Sequence, residues 1–271
     1  MTAKTKQTFY NYVVGEPYQD ISLAMTDQDV YNHRREYLPR AMTSKGKYKH
    51  IAIGIDWGAR HNLVVFGRRE DGLEDLIALK SFKDTSGQVG NTDADIKSII
   101  MYCHLFNPDI IVADIGFNGN KVAKLIEEFG DRAYGVQANP AKSNGAVNAV
   151  WNEKSNKVTI DKLTQNRILL EKIKNHGLGF WREVNSELKL FIEHWKNVVI
   201  RDEEDDDGNI EKIITRKGAD HYAQASVYAN VAMAKIVDNL GSVQNAFGYT
   251  VLTPDEQQNM TDTFNDIFKT K

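Results

Sequence analysis

Three aspartates occur at positions where a folded chain could gather them into one cluster. Asp56 ends an apolar run that begins at Ile51, Asp114 ends a second run that begins at Ile110, and Asp220 opens a stretch with helical spacing. Carboxylates that converge at the rim of a hydrophobic sheet repel one another unless a cation lies between them. Such hard oxygen ligands suit Mg²⁺ or Mn²⁺, and these ions drive phosphodiester hydrolysis. The three residues therefore predict a metal site.

The strand that would carry Asp56 is the most clearly predicted element. The run 50–56 is short and rich in isoleucine, which favours a central strand. Its isoleucines project to one face, while Ala52, Gly54 and Asp56 share the other. Small residues on that second face would let a helix approach closely. Because Asp56 continues the most rigid element, it is the best candidate to bridge two ions.

The order of the other elements predicts a mixed α/β fold. Strands are predicted at 50–56, 62–67, 76–82, 110–113 and 133–136, and helices at 92–106, 119–129, 161–175, 186–195 and 219–240. Three meander strands followed by alternating helices and strands indicate a central mixed sheet of five or more strands with helices on both faces. Residues 198–215 are predicted to form an added β-hairpin with an acidic tip.

Composition narrows the class of protein. The chain has 271 residues, enough for one large domain or two small ones. Its single cysteine, Cys103, excludes an internal disulfide, fits a reducing compartment and lies in an apolar run typical of a core. No apolar stretch is long enough to span a bilayer, and the N-terminus lacks the pattern of a signal peptide. The net charge of −3 indicates that contact with a polyanion must come from local basic patches.

Each aspartate also has a simpler interpretation. Asp114 could end its strand in a turn, and Asp220 could cap its helix. The order of the elements favours a cluster, and Asp56 is the hardest to explain otherwise. His221 is then predicted to support the site from beside Asp220, and Lys217 to contact a phosphate.

The same segments resemble a known family. Residues 53–58, 112–119 and 220–225 resemble the nuclease domain of tailed-bacteriophage terminase large subunits, and residues 9–18 look like the junction that precedes it. This resemblance implies an RNase H-like fold and a metal-dependent endonuclease that cuts concatemeric viral DNA during genome packaging. By position, Asp56, Asp114 and Asp220 match the family's metal-binding carboxylates, which hold two Mg²⁺ or Mn²⁺ ions.

The chain is expected to have three parts. They are an N-terminal extension (1–49), a nuclease domain (50–245) and a C-terminal tail with a short helix (246–271). The residues expected to bind double-stranded DNA are Arg60, Lys142, Arg216 and Lys217.

One departure from the family concerns the packaging motor. A complete large subunit also carries a packaging ATPase, and this chain contains no Gly-x-x-x-x-Gly-Lys-Ser/Thr loop. It is therefore expected to be a domain or fragment that works with the ATPase domain, the small terminase subunit and the portal. The expected location is the cytoplasm of an infected bacterium, without membrane contact.

Two other functions remain open. The segment 55–58 also resembles the first phosphate loop of actin-like and sugar-kinase-like phosphotransferases, and 114–116 resembles their second. Those proteins usually need two related domains and a glycine-rich adenosine motif. The third possibility is a non-catalytic module that uses the same fold to hold DNA or a capsid portal.

Overall fold

A buried strand, β2, lies at the centre of the structure, which is a computed structural model that describes residues 24–39, 47–85, 93–116, 118–139, 149–204 and 210–241. The strands are β1 (Arg34–Arg35), β2 (His50–Asp56), β3 (Arg60–Arg68), β4 (Glu74–Lys83), β5 (Ile110–Asp114), β6 (Ala133–Asn139), β7 (Val150–Asn152), β8 (Lys157–Asp161), β9 (Leu178–Trp181), β10 (Val198–Glu204) and β11 (Ile210–Arg216). The α-helices are α1 (Asp27–Tyr31), α2 (Ala94–Phe106), α3 (Gly119–Phe129), α4 (Lys162–Lys174), α5 (Ser186–Lys196) and α6 (His221–Gly241). The predicted helices from 119, 161 and 186 are confirmed.

Nine strands form one sheet in the order β1-β9-β4-β3-β2-β5-β6-β8-β7. The strands β2, β3 and β4 are antiparallel neighbours, and β5 and β6 continue the sheet parallel to β2. This arrangement of three antiparallel and then parallel strands is that of the RNase H-like fold. The predicted fold class is therefore confirmed.

The edges of the sheet extend beyond the predicted strands. On one side β9 pairs parallel with β4, and β1, from within the predicted N-terminal extension, pairs parallel with β9. On the other side β8 pairs parallel with β6, and β7 pairs antiparallel with β8. These edge strands are short, and β1 and β7 carry no alternating apolar pattern that a sequence could reveal.

The two faces of β2 pack against different helices, as its alternation predicts. Ile51, Ile53 and Ile55 lie in one core cluster with residues of α2 and α3, including the fully buried Cys103. On the opposite face Gly54 lies against α6: a Cβ there would be 1.9 Å from the Ala225 carbonyl oxygen. The prediction that small residues admit a helix on this face is confirmed.

Local signals explain the remaining elements near the site. Asp161 caps α4, since its Oδ1 accepts a hydrogen bond of 2.6 Å from the Thr164 N–H. The hairpin of β10 and β11 pairs from Val198–Arg216 to Glu204–Ile210, as predicted. Of its acidic run, residues 202–204 belong to β10, and residues 205–209 lie outside the described part.

The chain divides into two units, Met1–Lys235 and Ile236–Lys271. Of the second unit, the structure describes only the end of α6, so the predicted tail from 246 onward lies outside it. The segment 9–18 is also outside the described part. No described helix has the length and hydropathy required to cross a membrane.

The contact at Gly54 makes a stability prediction. In Gly54→Ala the new Cβ would meet the α6 backbone at Ala225 and Ala229, so the helix must move. We expect the free energy of unfolding in urea to fall by about 3 kcal/mol or more. Gly119→Ala is the matched control, because a Cβ at this first residue of α3 meets nothing within 4 Å. Equal stabilities of the two variants would contradict the close contact.

Candidate metal centre

Asp56 and Asp114 lie at adjacent strand ends. The parallel strands β2 and β5 pair as far as Ile55 and Ala113, and the two aspartates are the next residue of each strand. Directly after Asp56, Trp57 donates its indole N–H to the Asp114 carbonyl oxygen at 2.6 Å. This hydrogen bond joins the two strand ends at the carboxyl edge of the sheet, where α/β folds place their ligand sites.

Asp220 reaches this edge from the start of α6, the helix that packs on Gly54. Burial is the main cause that raises the pKa of Asp56, and the charges of Asp114 and Asp220 raise it further, against a hydrogen bond with His221 that lowers it. Asp56 is 8% exposed and Asp220 is 2% exposed. The structure thus brings the three predicted carboxylates to one place, close enough for their charges to interact.

His221 contacts the central carboxylate directly. Its Nδ1 is 2.7 Å from Asp56 Oδ2, and this hydrogen bond is the main cause that raises the pKa of His221. The ring also lies over Gly58, where an added Cβ would be 3.0 Å from its Cε1. His221 therefore fixes the orientation of Asp56, a closer contact than its sequence position indicated.

The predicted DNA-binding residues lie in different surroundings. Arg216 is half-exposed, and its Nε lies 3.0 Å from Asp220 Oδ2. Lys217 is exposed and is anchored only through its backbone N–H, which donates to Asn197. Arg60 is exposed and donates to Ser81 Oγ at 2.9 Å. Lys142 lies outside the described residues.

The position of one cation near the centre was not predicted from the sequence. Lys162, the first residue of α4, is partly buried near Asp56, Asp114 and Asp220. Burial and the charge of Arg216 lower the pKa of Lys162, although the three aspartates raise it. The only sequence signal nearby was the helix cap at Asp161, which does not indicate where the following side chain points.

The donor chemistry of these residues fits Mg²⁺ or Mn²⁺. Asp220 Oδ2 is buried and accepts no hydrogen bond, although it forms an ion pair with Arg216 Nε at 3.0 Å. A buried carboxylate oxygen in this condition is stabilised by a cation. Asp56 and Asp114 supply further oxygens, which are the ligands that these ions prefer.

The three aspartates are spread more widely than the ligands of a single ion. Among the described residues, one group alone has three ligand atoms all within 4.8 Å of one another, and it consists of His61, Asp84 and Asp95. None of the residues predicted for the site from the sequence belongs to this group. Its centre contains the Lys121 ammonium, which hydrogen bonds to all three.

Comparison with solved structures finds nucleases of the kind that the aspartate segments resemble. The large terminase nuclease from thermophilic phage G20c is 12% identical, with 68% of this chain and 83% of that chain covered and a TM-score of 0.41. The nuclease domain of the large terminase subunit of bacterial virus Sf6 is 9% identical, with 75% and 96% covered and a TM-score of 0.44. T. thermophilus RuvC in complex with a Holliday junction is 13% identical, with 69% and 96% covered and a TM-score of 0.36.

No protein-family model and no curated protein matches the sequence. Similarities this distant concern the fold, and one fold serves many functions. The function therefore has to be argued from the site.

A second buried polar group on α6 gives a testable consequence. Gln224, one turn after Asp220, is 2% exposed, and neither atom of its amide has a hydrogen-bond partner. We expect Gln224→Leu to raise the free energy of unfolding by about 1–3 kcal/mol without metal, because it removes an unsatisfied buried group. Asn230→Leu on the same helix is the control. It should be destabilising, because Asn230 Oδ1 accepts from Lys172 at 2.8 Å. Thermal unfolding measures the stability of both variants. If Gln224→Leu is destabilised, the amide of Gln224 does form hydrogen bonds in the wild type.

Proposed function

We propose that the chain is a metal-dependent endonuclease that hydrolyses double-stranded DNA with two Mg²⁺ or Mn²⁺ ions held by Asp56, Asp114 and Asp220. One observation supports this most strongly. Three carboxylates from separate elements converge at the carboxyl edge of a buried sheet, and one of their oxygens is buried without a hydrogen bond. A buried cluster of negative charge is costly unless cations share it.

The proposed roles follow from position. Asp56 would be the central ligand, because it continues the central strand and its orientation is fixed by His221. Asp114 and Asp220 would supply the further carboxylate oxygens that hold the ions. Bound ions of this kind activate a water molecule and stabilise the leaving oxygen of a phosphodiester.

The surrounding cations would bind the DNA backbone. Lys162 and Arg216 lie beside the carboxylates, and a phosphate that enters the centre would meet their positive charges. Arg60, Lys142 and Lys217 are proposed to bind phosphates farther from the reacting group. Contacts of this type position a duplex without reading its sequence, so cleavage should show little base preference.

In biological terms, we infer that the enzyme cuts concatemeric viral DNA during genome packaging in the cytoplasm of the infected bacterium. The inference is supported by the resemblance of the three aspartate segments to large-terminase nucleases. The packaging ATPase domain, the small terminase subunit and the portal would then be its partners.

The phosphotransferase alternative has less support. Actin-like and sugar-kinase-like proteins use two related domains, and the strand order of the described residues accounts for one such sheet. The non-catalytic alternative differs from the nuclease only in its chemistry. It predicts DNA or portal binding without cleavage in either Mg²⁺ or Mn²⁺.

Substitution of the central ligand tests the proposed reaction. Asp56→Asn keeps the size of the side chain but removes the charge shared by the ions, so plasmid cleavage in Mn²⁺ should fall by at least about 100-fold. Asp131→Asn removes an exposed carboxylate elsewhere and should cleave at the wild-type rate. Circular dichroism confirms folding of both variants. Full activity of Asp56→Asn would refute the mechanism.

Metal removal tests the site without DNA. The variant Asp220→Asn removes one of the three clustered carboxylates, together with its ion pair to Arg216, and is compared with the wild type in EDTA and in Mn²⁺. Mn²⁺ should raise the melting temperature of the wild type and have little effect on the variant. An equal rise in both proteins would place the ion elsewhere. A rise with ATP and Mg²⁺ that exceeds the rise with Mg²⁺ alone would favour the phosphotransferase.

A further inference from the structure

A lysine fills the second group of potential ligands. The Lys121 Nζ lies 2.6 Å from Asp95 Oδ2, 2.8 Å from Asp84 Oδ1 and 2.8 Å from His61 Nε2. The side chains of Asp95 and His61 are 0% exposed, and that of Lys121 is 8% exposed. An ammonium has three N–H donors and no acceptor, and two of these contacts are with carboxylate oxygens, which can only accept when ionised.

His61 contacts all three charged groups. Its Nε2 is 2.8 Å from Lys121 Nζ, 2.9 Å from Asp95 Oδ2 and 3.4 Å from Asp84 Oδ1. Its Nδ1 is 3.5 Å from the Gly58 backbone nitrogen, at the limit for a hydrogen bond. The ring is therefore held between the ammonium and the two carboxylates.

The surrounding contacts favour charged carboxylates in this group. Burial alone would raise the pKa of Asp95, but the hydrogen bond from Lys121 and those from Thr85, His61 and Ile96 hold it well below its usual range. Asp95 therefore needs a permanent cation beside it, and Lys121 supplies one.

The group connects to the candidate metal centre through one indole. His61 meets Trp57 edge to face, with ring centroids 5.1 Å apart. Trp57 follows Asp56 in the chain and donates to the Asp114 carbonyl oxygen. The four charged or polar side chains come from β3, the segment after β4, α2 and α3, so they fix several elements around this indole.

We propose that Lys121 is a built-in cation that occupies a second metal-ligand site of His61, Asp84 and Asp95 and thereby holds Trp57 in place beneath the candidate metal centre. One nitrogen and two carboxylate oxygens form a set that suits Zn²⁺ once the ammonium is removed. That Lys121 occupies this site does not depend on the proposed function. That Lys121 affects catalysis rests on the proposed function.

Replacement of the lysine tests the occupancy. Lys121→Ala should melt at a lower temperature than the wild type in EDTA, and saturating Zn²⁺ should raise its melting temperature by about 5 °C or more. The matched control is the double variant Lys121→Ala/His61→Ala, which keeps Asp56, Asp114 and Asp220 but loses a ligand. An equal Zn²⁺ effect in the single and double variants would overturn the proposal.

The wild-type protein provides a second test that needs no variant to fold. Nitrogen-15 NMR of the lysine side chains should show that the Lys121 ammonium protons exchange with water more slowly than those of exposed lysines, because their partners are buried. Exchange at the rate of an exposed lysine would overturn the occupancy, whatever the stability data show.

The effect on catalysis has its own readout. Lys121→Ala should lose about 10- to 100-fold of Mn²⁺-dependent plasmid cleavage, as is usual when a group that orients metal ligands is removed. Zn²⁺ at a concentration that fills the vacated site, added beside excess Mn²⁺, should restore cleavage in the single variant and not in the double variant. Lost cleavage without Zn²⁺ rescue would reject the positioning role. If the wild type itself does not cut DNA, the proposed function fails, while the melting and NMR experiments still decide the occupancy.

Discussion

At Gly54 the backbone of α6 lies against the backbone of β2, so closely that a single methyl group would collide with two peptide units. This contact fixes where α6 begins relative to the end of β2. Asp220 and His221 lie at that beginning, and Asp56 lies at that strand end. The arrangement of the candidate metal centre therefore depends on the close packing of α6 on β2. This packing offsets the electrostatic repulsion between the three carboxylates.

The protein neutralises buried carboxylates in two different ways. At Asp84 and Asp95 the cation is part of the chain, and the Lys121 ammonium lies 2.8 Å and 2.6 Å from their oxygens. At Asp56, Asp114 and Asp220 the neighbouring cations are Lys162 and Arg216, and an oxygen of Asp220 still lacks a hydrogen bond. A satisfied charge network rigidifies a structure, whereas an unsatisfied one is the usual condition of a site that binds an ion or substrate. The same contrast explains why the tightest group of metal-type ligands is not the candidate active centre.

The sequence predicted the central sheet and missed its edges for physical reasons. The run 50–56 is buried on both faces and directs large and small residues to opposite sides, so its pattern was unambiguous. Strands such as Arg34–Arg35 have no pattern of their own and form only because β9 offers a partner. The contacts of the lysines were also not predictable from local pattern. The sequence shows that Lys121 and Lys162 lie near helix starts, but it does not show which distant residues their side chains contact.

The sequence by itself determined the order of the elements and the three strand or helix ends that carry Asp56, Asp114 and Asp220. These follow from local periodicity and from the abrupt change from apolar residues to a carboxylate. Only the tertiary structure decided that His221 would contact Asp56, that Lys162 would lie beside the centre, and that Lys121 would fill a ligand site with His61. Those contacts join residues far apart in the chain, and they are set by how closely helices and sheet can pack.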